Sequence, residues 1–204
     1  YDSGKLGRLA ELLPKLQAEG HRVLLFSQST QTLDLLEEFV SAPCDAGGLG
    51  FAHLRLDGNT AVGERQALID DFNREGSAVF CFLLSTRAGG QGLNLTGADT
   101  VILHDLDWNP QLDKQAVDRA HRIGQTRPVR VIRMVTRGTV DEAIHTMQLR
   151  KNELDAKLLG SADGAADGAE PPPNVMGELV EQAIEQLRGG GGEGAEGGGG
   201  VVAA

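Results

Sequence analysis

Arg119 and Arg122 lie in the run Asp113-Lys114-Gln115-Ala116-Val117-Asp118-Arg119-Ala120-His121-Arg122-Ile123-Gly124-Gln125. Spacings of four and three put Gln115, Arg119 and Arg122 on one helical face, continuing a helix predicted over 111–121. Two planar guanidiniums one turn apart can grip a phosphate that bears developing charge, whereas a lysine acts as a point charge. An arginine placed this way contributes ~10³–10⁵ to a phosphoryl-transfer rate. The alternative is a solvated basic face paired to Asp118 and Asp113. Arg119, Arg122, Arg127, Arg130, Arg133 and Arg137 all fall within residues 119–137, a stretch without an acid. That local block says more about partners than the net charge does.

The second chemically loaded run is Ser85-Thr86-Arg87-Ala88-Gly89-Gly90-Gln91-Gly92-Leu93-Asn94-Leu95. Its glycines let backbone amides approach an anion, and Ser85, Thr86 and Arg87 add donors. This suits phosphates, of a nucleotide or of a nucleic-acid backbone; the alternative is an ordinary Gly-rich turn between a strand and a helix. His121, between two arginines, reads as a structural hydrogen-bonder, with nothing nearby marked as a proton-transfer partner. His53, His104 and His145 are scattered, so no metal site is expected. Arg127 and Arg130 read as plain solvated charges. Trp108, the single tryptophan, precedes Asn109-Pro110 and reads on its own as a loop anchor.

Two short matches are decoys. Gly4-Lys5 has Leu6 where a P-loop needs Ser or Thr, and lacks the upstream glycine. Asp141-Glu142-Ala143 follows Arg-Gly-Thr-Val and opens a helix, whereas carboxylates that hold Mg²⁺ would end a hydrophobic strand. The phosphate-binding lysine and the Mg²⁺ carboxylates are thus both missing from this sequence.

The elements that must position these groups alternate along the chain. Leu6, Leu9, Leu13 and Leu16 mark a helix over 5–19, weakened by Pro14. Val23 to Phe26 predict a buried strand, Leu33 to Val40 a helix, and His53 to Leu56 a second strand. Leu68, Ile69 and Phe72 mark a third helix. Val79 to Leu84 is a continuous apolar run, expected to be a central strand. Val101 to Leu103 and Val129 to Ile132 predict two more strands, and Thr139 to Leu158 a long final helix. Thr139 and Glu142 form a capping box at its start. Such alternation predicts an α/β fold: a parallel sheet with helices on both faces and ligands at the carboxyl ends of its strands.

Overall charge is −10, from 19 basic and 29 acidic residues. Residues 160–204 hold eight of the acids against one base, Arg188, together with 13 of the 28 glycines and a Pro171–Pro173 run. That composition cannot bury enough apolar area to offset chain entropy, so a disordered acidic tail is expected there, with one marginal amphipathic island from Val175 to Leu187. The folded unit is expected to be 1–159. At 40% hydrophobic residues it can bury a real core, and no run nears the ~18 apolar residues of a membrane span, so no membrane partner is expected. Cys44 and Cys81 fit a reducing compartment, cytosol or nucleus. The chain opens at Tyr1 without Met, which reads as a segment of something longer.

In order, STRAGGQGLNL, VILHDLDWNP and QAVDRAHRIGQ resemble motifs V, Va and VI of superfamily-two helicase-like ATPases, and HRIGQT after DWNP resembles the second motor lobe of Swi/Snf-type chromatin-remodelling ATPases. SGKL at 3–6, VLLFSQST at 23–30 (like motif IV) and LRLDGNTAVGERQALIDDFN at 54–73 agree, so the resemblance spans about 3–158. LHDLDWNP with His104 is most similar to the SMARCAD/Etl-like subgroup.

The resemblance implies a RecA-like lobe that closes on ATP against an N-terminal lobe and moves along duplex DNA. Arg119 and Arg122 match arginine fingers. Gln115, Gly92 and Asn94 match nucleotide-side positions. Ser27, Gln28, Ser85, Thr86 and Arg87 match positions that grip DNA backbone. Trp108 and Asn109 match motif Va, which couples the DNA groove to the nucleotide cleft. Residues 139–158 match a brace helix, with Val140, Ile144, Met147, Leu154 and Leu158 as its apolar stripe. ATP with Mg²⁺, the metal held by the first lobe, nucleosomal histones as partners, and a nuclear location follow as expectations; the lobe alone is expected to be inactive. Rival readings are the second lobe of a strand-separating helicase, a non-catalytic regulatory module, and a histone binder acting through the acidic tail.

Overall fold

The computed structural model describes residues 3–88, 92–160 and 201–203. Gly89 to Gln91 of the glycine loop and 161–200 of the acidic segment, including the Val175–Leu187 island, lie outside the described residues, as do the side chains of Leu154 and Leu158.

Helix α1 (Gly4–Ala18) starts at Ser3, whose hydroxyl accepts from the Leu6 amide, and buries Leu9, Leu13 and Leu16. Pro14 does not break it. A mid-helix proline costs about 3 kcal/mol, while burying three leucines returns about 1.5–3 kcal/mol each. Strand β1 (Val23–Ser27) is buried along its whole length. Helix α2 (Thr30–Ser41) is capped by Ser29, and a short 3-10 turn, Cys44–Ala46, leads to β2 (His53–Leu56). Then follow α3 (Val62–Asn73), β3 (Cys81–Ser85), β4 (Thr100–Leu103), α4 (Pro110–Val117), β5 (Arg130–Thr136) and α5 (Val140–Gly160).

The strands lie in the order β2-β3-β1-β4-β5 and all four pairings are parallel. A three-residue strand β6 (Val201–Ala203), within the segment expected to be tail, pairs antiparallel with Met134–Thr136 of β5. Alternation along each strand divides the core. Val23, Leu25, Cys81, Leu83 and Ile102 face the buried residues of α1 and α2. Leu24, Phe26, Phe82, Leu84, Val101 and Leu103 face those of α3, α4 and α5. Both faces of a parallel sheet are therefore covered, as its apolar runs require. Burial also pushes the Cys81 thiol up to about 12, which keeps it an inert core side chain.

Three elements depart from the sequence reading. Val79 and Phe80 precede β3 rather than belong to it, and the Phe80 amide donates to the Ala52 carbonyl. Strand β5 runs on to Thr136, because its alternating buried and half-exposed pattern continues past Ile132. Helix α4 stops at Val117. Beyond it the Arg119 and Ala120 amides reach back only three residues, to Ala116 and Val117. Arg119 therefore sits on a tightened turn, and Arg122 lies beyond the helix, so neither shares a face of α4 with Gln115.

Candidate functional site

The carboxyl ends of β1, β3 and β4 bring the loops after Ser27, Ser85 and Leu103 together, and the loop after β4 is held at every residue from His104 to Asp107. The Lys5 ammonium donates to the His104 carbonyl at 2.7 Å. Asp105 accepts from the Ser27 hydroxyl and the Gln28 amide, each at 3.0 Å. The Gln28 side chain donates to the Leu106 carbonyl at 2.6 Å. Gln148 of α5 donates through one nitrogen to the Asp107 carbonyl and to the Asp113 carboxylate, both at 2.6 Å, and the Asp107 amide donates to Asp113 at 3.3 Å.

The charges in this network differ. Burial alone would raise the Asp105 carboxyl, but the His104 ring, the Gln28 amide and the Ser27 hydroxyl outweigh it and hold it below the usual carboxylate range. Burial pushes the Asp113 carboxyl up; the Gln148 donor, the Asp107 amide and Arg133 oppose that, and the Asp107 carboxylate adds to it. Beyond the held stretch, Trp108 packs half-buried against the core. Asn109 is exposed and caps α4, its side-chain oxygen accepting from the Gln111 amide at 3.1 Å.

The loop after β3 meets the turn after α4. Gly92 has a left-handed φ of 72°, a conformation that favours glycine, and its carbonyl accepts from the Arg122 guanidinium at 2.7 Å. Arg122 also donates to the Asp118 carbonyl at 3.3 Å. The Leu95 amide donates to the Arg119 carbonyl at 3.0 Å, and the Gln125 side chain ties the Ala98 and Ala120 carbonyls together at 2.6 and 3.2 Å. Arg119 is buried at 6% exposure. Burial, then the neighbouring Arg122 cation, lowers its guanidinium from the usual value, which still leaves it charged at any ordinary pH. Asn94 and Gln115 are exposed.

Of the residues matched to DNA backbone, Arg87 and Asn109 are exposed. Ser27 is fully buried and its hydroxyl is occupied by Asp105. Gln28 is engaged with Leu106. Ser85 and Thr86 are 4% and 6% exposed; Ser85 accepts from the Ala88 amide, and the Thr86 amide donates to the Ser27 carbonyl. These four join the β1 and β3 ends to their neighbours, and Arg87 and Asn109 are the side chains directed outward.

The helicase conserved C-terminal domain family matches residues 4–124. The chain belongs to that family. It is 53% identical over 182 residues to Protein CHROMATIN REMODELING 19 of Arabidopsis thaliana, covering 89% of this chain and 23% of that protein. It is 50% identical over 167 residues to the chromatin-remodeling ATPase INO80 of Sclerotinia sclerotiorum, covering 81% of this chain and 9% of that one. Among solved structures, the C-terminal part of the Fun30 ATPase domain superposes with a TM-score of 0.71 at 35% identity, over 92% of this chain and 55% of that chain. The chain is thus a Swi/Snf-type helicase C-terminal lobe with a RecA-like sheet, and it spans a quarter or less of the length of these curated relatives.

Within the helicase lobe the two decoys find each other. Lys5 pairs with Asp141 at 2.7 Å, so both serve to join α1 to the start of α5. Thr139 caps α5 through the Asp141 amide at 3.2 Å. Glu142 reaches the Gly138 amide at 2.9 Å, one residue earlier than the expected capping box. The apolar stripe expected along α5 is revised as well. Ile144 is buried and Met147 half-buried, but Val140 is 50% exposed and the buried position is taken by Gln148. Gln148 and Asp113 were invisible to periodicity, since a polar residue on a helix reads as solvent-facing.

Arg127 is exposed but not free: it pairs at 2.9 Å with Asp99, which is 2% exposed, at the amino ends of the strands. Among the described residues, no cluster of three His, Cys, Asp or Glu side chains could hold a metal ion. The site is cationic and suited to phosphate oxygens.

Proposed function

We propose that this lobe is one half of a DNA-dependent ATPase that translocates on duplex DNA and remodels nucleosomes in the nucleus. ATP, with Mg²⁺ held by an N-terminal RecA-like lobe, supplies the phosphoanhydride bond that is hydrolysed. The observation that carries the reading is the 2.7 Å bond from Arg122 to the Gly92 carbonyl, which couples a phosphate-seeking cation to the end of the glycine loop. The names of the relatives, chromatin-remodelling proteins and ATPases, support it.

In this reading Arg119 and Arg122 meet the charge that develops on the transferred phosphoryl group. Arg119, fixed in the body of the lobe, sets the approach, and Arg122 makes the contact. Gln115, Asn94 and the Gly92 backbone line the nucleotide side. Arg87 and Asn109 approach DNA phosphates, with Ser27, Gln28, Ser85 and Thr86 shaping the surface beneath them, and Trp108 relays DNA contact to the cleft. Contacts to phosphates and sugars predict weak sequence preference and a steep fall of binding with salt.

The test is the ATPase rate of the protein carrying both lobes with nucleosomes, duplex DNA, single-stranded nucleic acid or none, beside Arg122→Ala. Stimulation by duplex or nucleosomal DNA that the substitution abolishes is expected. Preference for single strands would favour a strand-separating helicase. A rate indifferent to DNA and to the substitution would favour a non-catalytic regulatory lobe.

A further inference from the structure

The loop that carries Trp108 and Asn109 is attached on two sides. From the sheet, Ser27 and Gln28 hold Asp105 and Leu106. From α5, two attachments reach it. Asp141 acts through Lys5, whose ammonium contacts both the Asp141 carboxylate and the His104 carbonyl at 2.7 Å. Gln148 acts directly on the Asp107 carbonyl and through Asp113 on the Asp107 amide. Asp141 and Gln148 are seven positions apart, two helical turns on one side of α5 and about 10.5 Å along its axis. The stretch His104–Asp107 therefore spans the gap between the sheet and a single helix. Gln148 is 4% exposed and Asp113 2%, so both ends of this contact are shielded from bulk solvent.

We propose that Gln148 is a positioning residue for this loop, and that any rotation or sliding of α5 is delivered through it to Trp108 and Asn109. One amide nitrogen contacts both the loop and α4, so the helix cannot shift without releasing Asp107, Asp113 or both. The substrate of the control is the DNA response of the motor. That part rests on the function proposed above, whereas the mechanical link between α5 and the loop does not.

Trp108 is the single tryptophan of this chain and reports on the loop directly. Gln148→Met keeps the side-chain length and removes both donors. Expected in this chain is about a twofold rise in collisional quenching of Trp108 fluorescence, as local opening exposes the ring. Expected in the full-length protein is a fall of about tenfold in the ratio of DNA-stimulated to DNA-free ATPase, as misplacement of a coupling loop predicts, with KM for ATP within about twofold. Lys5→Met, which cuts the other attachment, should move both readouts the same way by less. Leu149→Ser, on the exposed side of α5, should move neither.

Wild-type quenching and stimulation in folded Gln148→Met would overturn the proposal, as would an equal effect of Leu149→Ser. If Gln148→Met does not fold, wild-type behaviour of Lys5→Met in both readouts overturns it. Raised quenching in a protein whose wild type ignores DNA would leave the link standing and remove the function proposed above.

Discussion

Arg122 and Arg127 belong to the same acid-free stretch of sequence and do opposite things. Arg127 ends on Asp99, a carboxylate 2% exposed that also accepts from the His21 ring at 2.9 Å and the Arg22 amide at 3.2 Å. Arg122 makes no ion pair among the described residues and is held by carbonyls of Gly92 and Asp118. A carbonyl orients a guanidinium without neutralising it, whereas a buried carboxylate uses up the charge. At the amino ends of the strands the arginine is part of the fold. Near the glycine loop it keeps its charge, which in the function proposed above meets a phosphate. Composition cannot separate the two, because Asp99 is distant in sequence from Arg127.

The largest effect that sharpens this contrast is on turnover. On the function proposed above, Arg122→Ala in the full-length protein should cut DNA-stimulated ATPase about 10³-fold, the effect expected on removing an arginine finger, while the melting temperature stays close to wild type. Arg127→Ala should do the reverse. It leaves a buried acceptor short of a partner, worth about 1–3 kcal/mol, so urea denaturation should move to lower concentration while ATPase per folded molecule stays near wild type. Equal loss of turnover in both variants would erase the distinction.

Acid gives a subtler test. Burial alone would raise the Asp99 carboxyl, but the His21 ring, the Arg22 amide and Arg127 bring it below its ordinary value. A lowered carboxylate stabilises the fold fully above the unfolded value of ~3.9, and that contribution is lost as pH falls through the lower folded value. Asp113, raised by burial, has the opposite sign: its ionised form weighs against the fold at neutral pH, and protonation relieves it. Denaturation midpoints measured at about pH 6 and about pH 3.5 should fall with acid in the wild type and fall less in Asp99→Asn. An unchanged acid dependence in that variant would remove Asp99 from the account. The smallest effect belongs to Lys5→Met. Its partly buried pair with Asp141 is worth about 1 kcal/mol, read as a slightly lower melting temperature.

Much of the sheet was legible because apolar runs such as Val23-Leu24-Leu25-Phe26 bury on both faces and leave little ambiguity. The resemblance in STRAGGQGLNL, DWNP and HRIGQ pointed to the family before any geometry. What escaped were contacts that join distant residues. The end of α4 at Val117 depends on the Leu95 amide and the Gln125 side chain capturing carbonyls of the following turn. The burial of Gln148 depends on Asp107 and Asp113 waiting for it. Ser27 and Gln28 carry the right chemistry for a phosphate, yet their side chains are taken by Asp105 and Leu106, a competition that only the fold reveals.

The placing of β1 has a consequence for how the chain comes off the ribosome. Its partners across the sheet are Cys81–Ser85 on one side and Thr100–Leu103 on the other, so both of its edges wait for residues made much later. At about 5–20 residues per second the wait for the first partner is roughly 3–12 s. Throughout it Val-Leu-Leu-Phe-Ser, buried along its whole length once folded, is an apolar strand with two open edges. Nascent chains stalled between Ser27 and Cys81 should therefore be the ones that chaperones hold, and release should follow once Ser85 has cleared the exit tunnel.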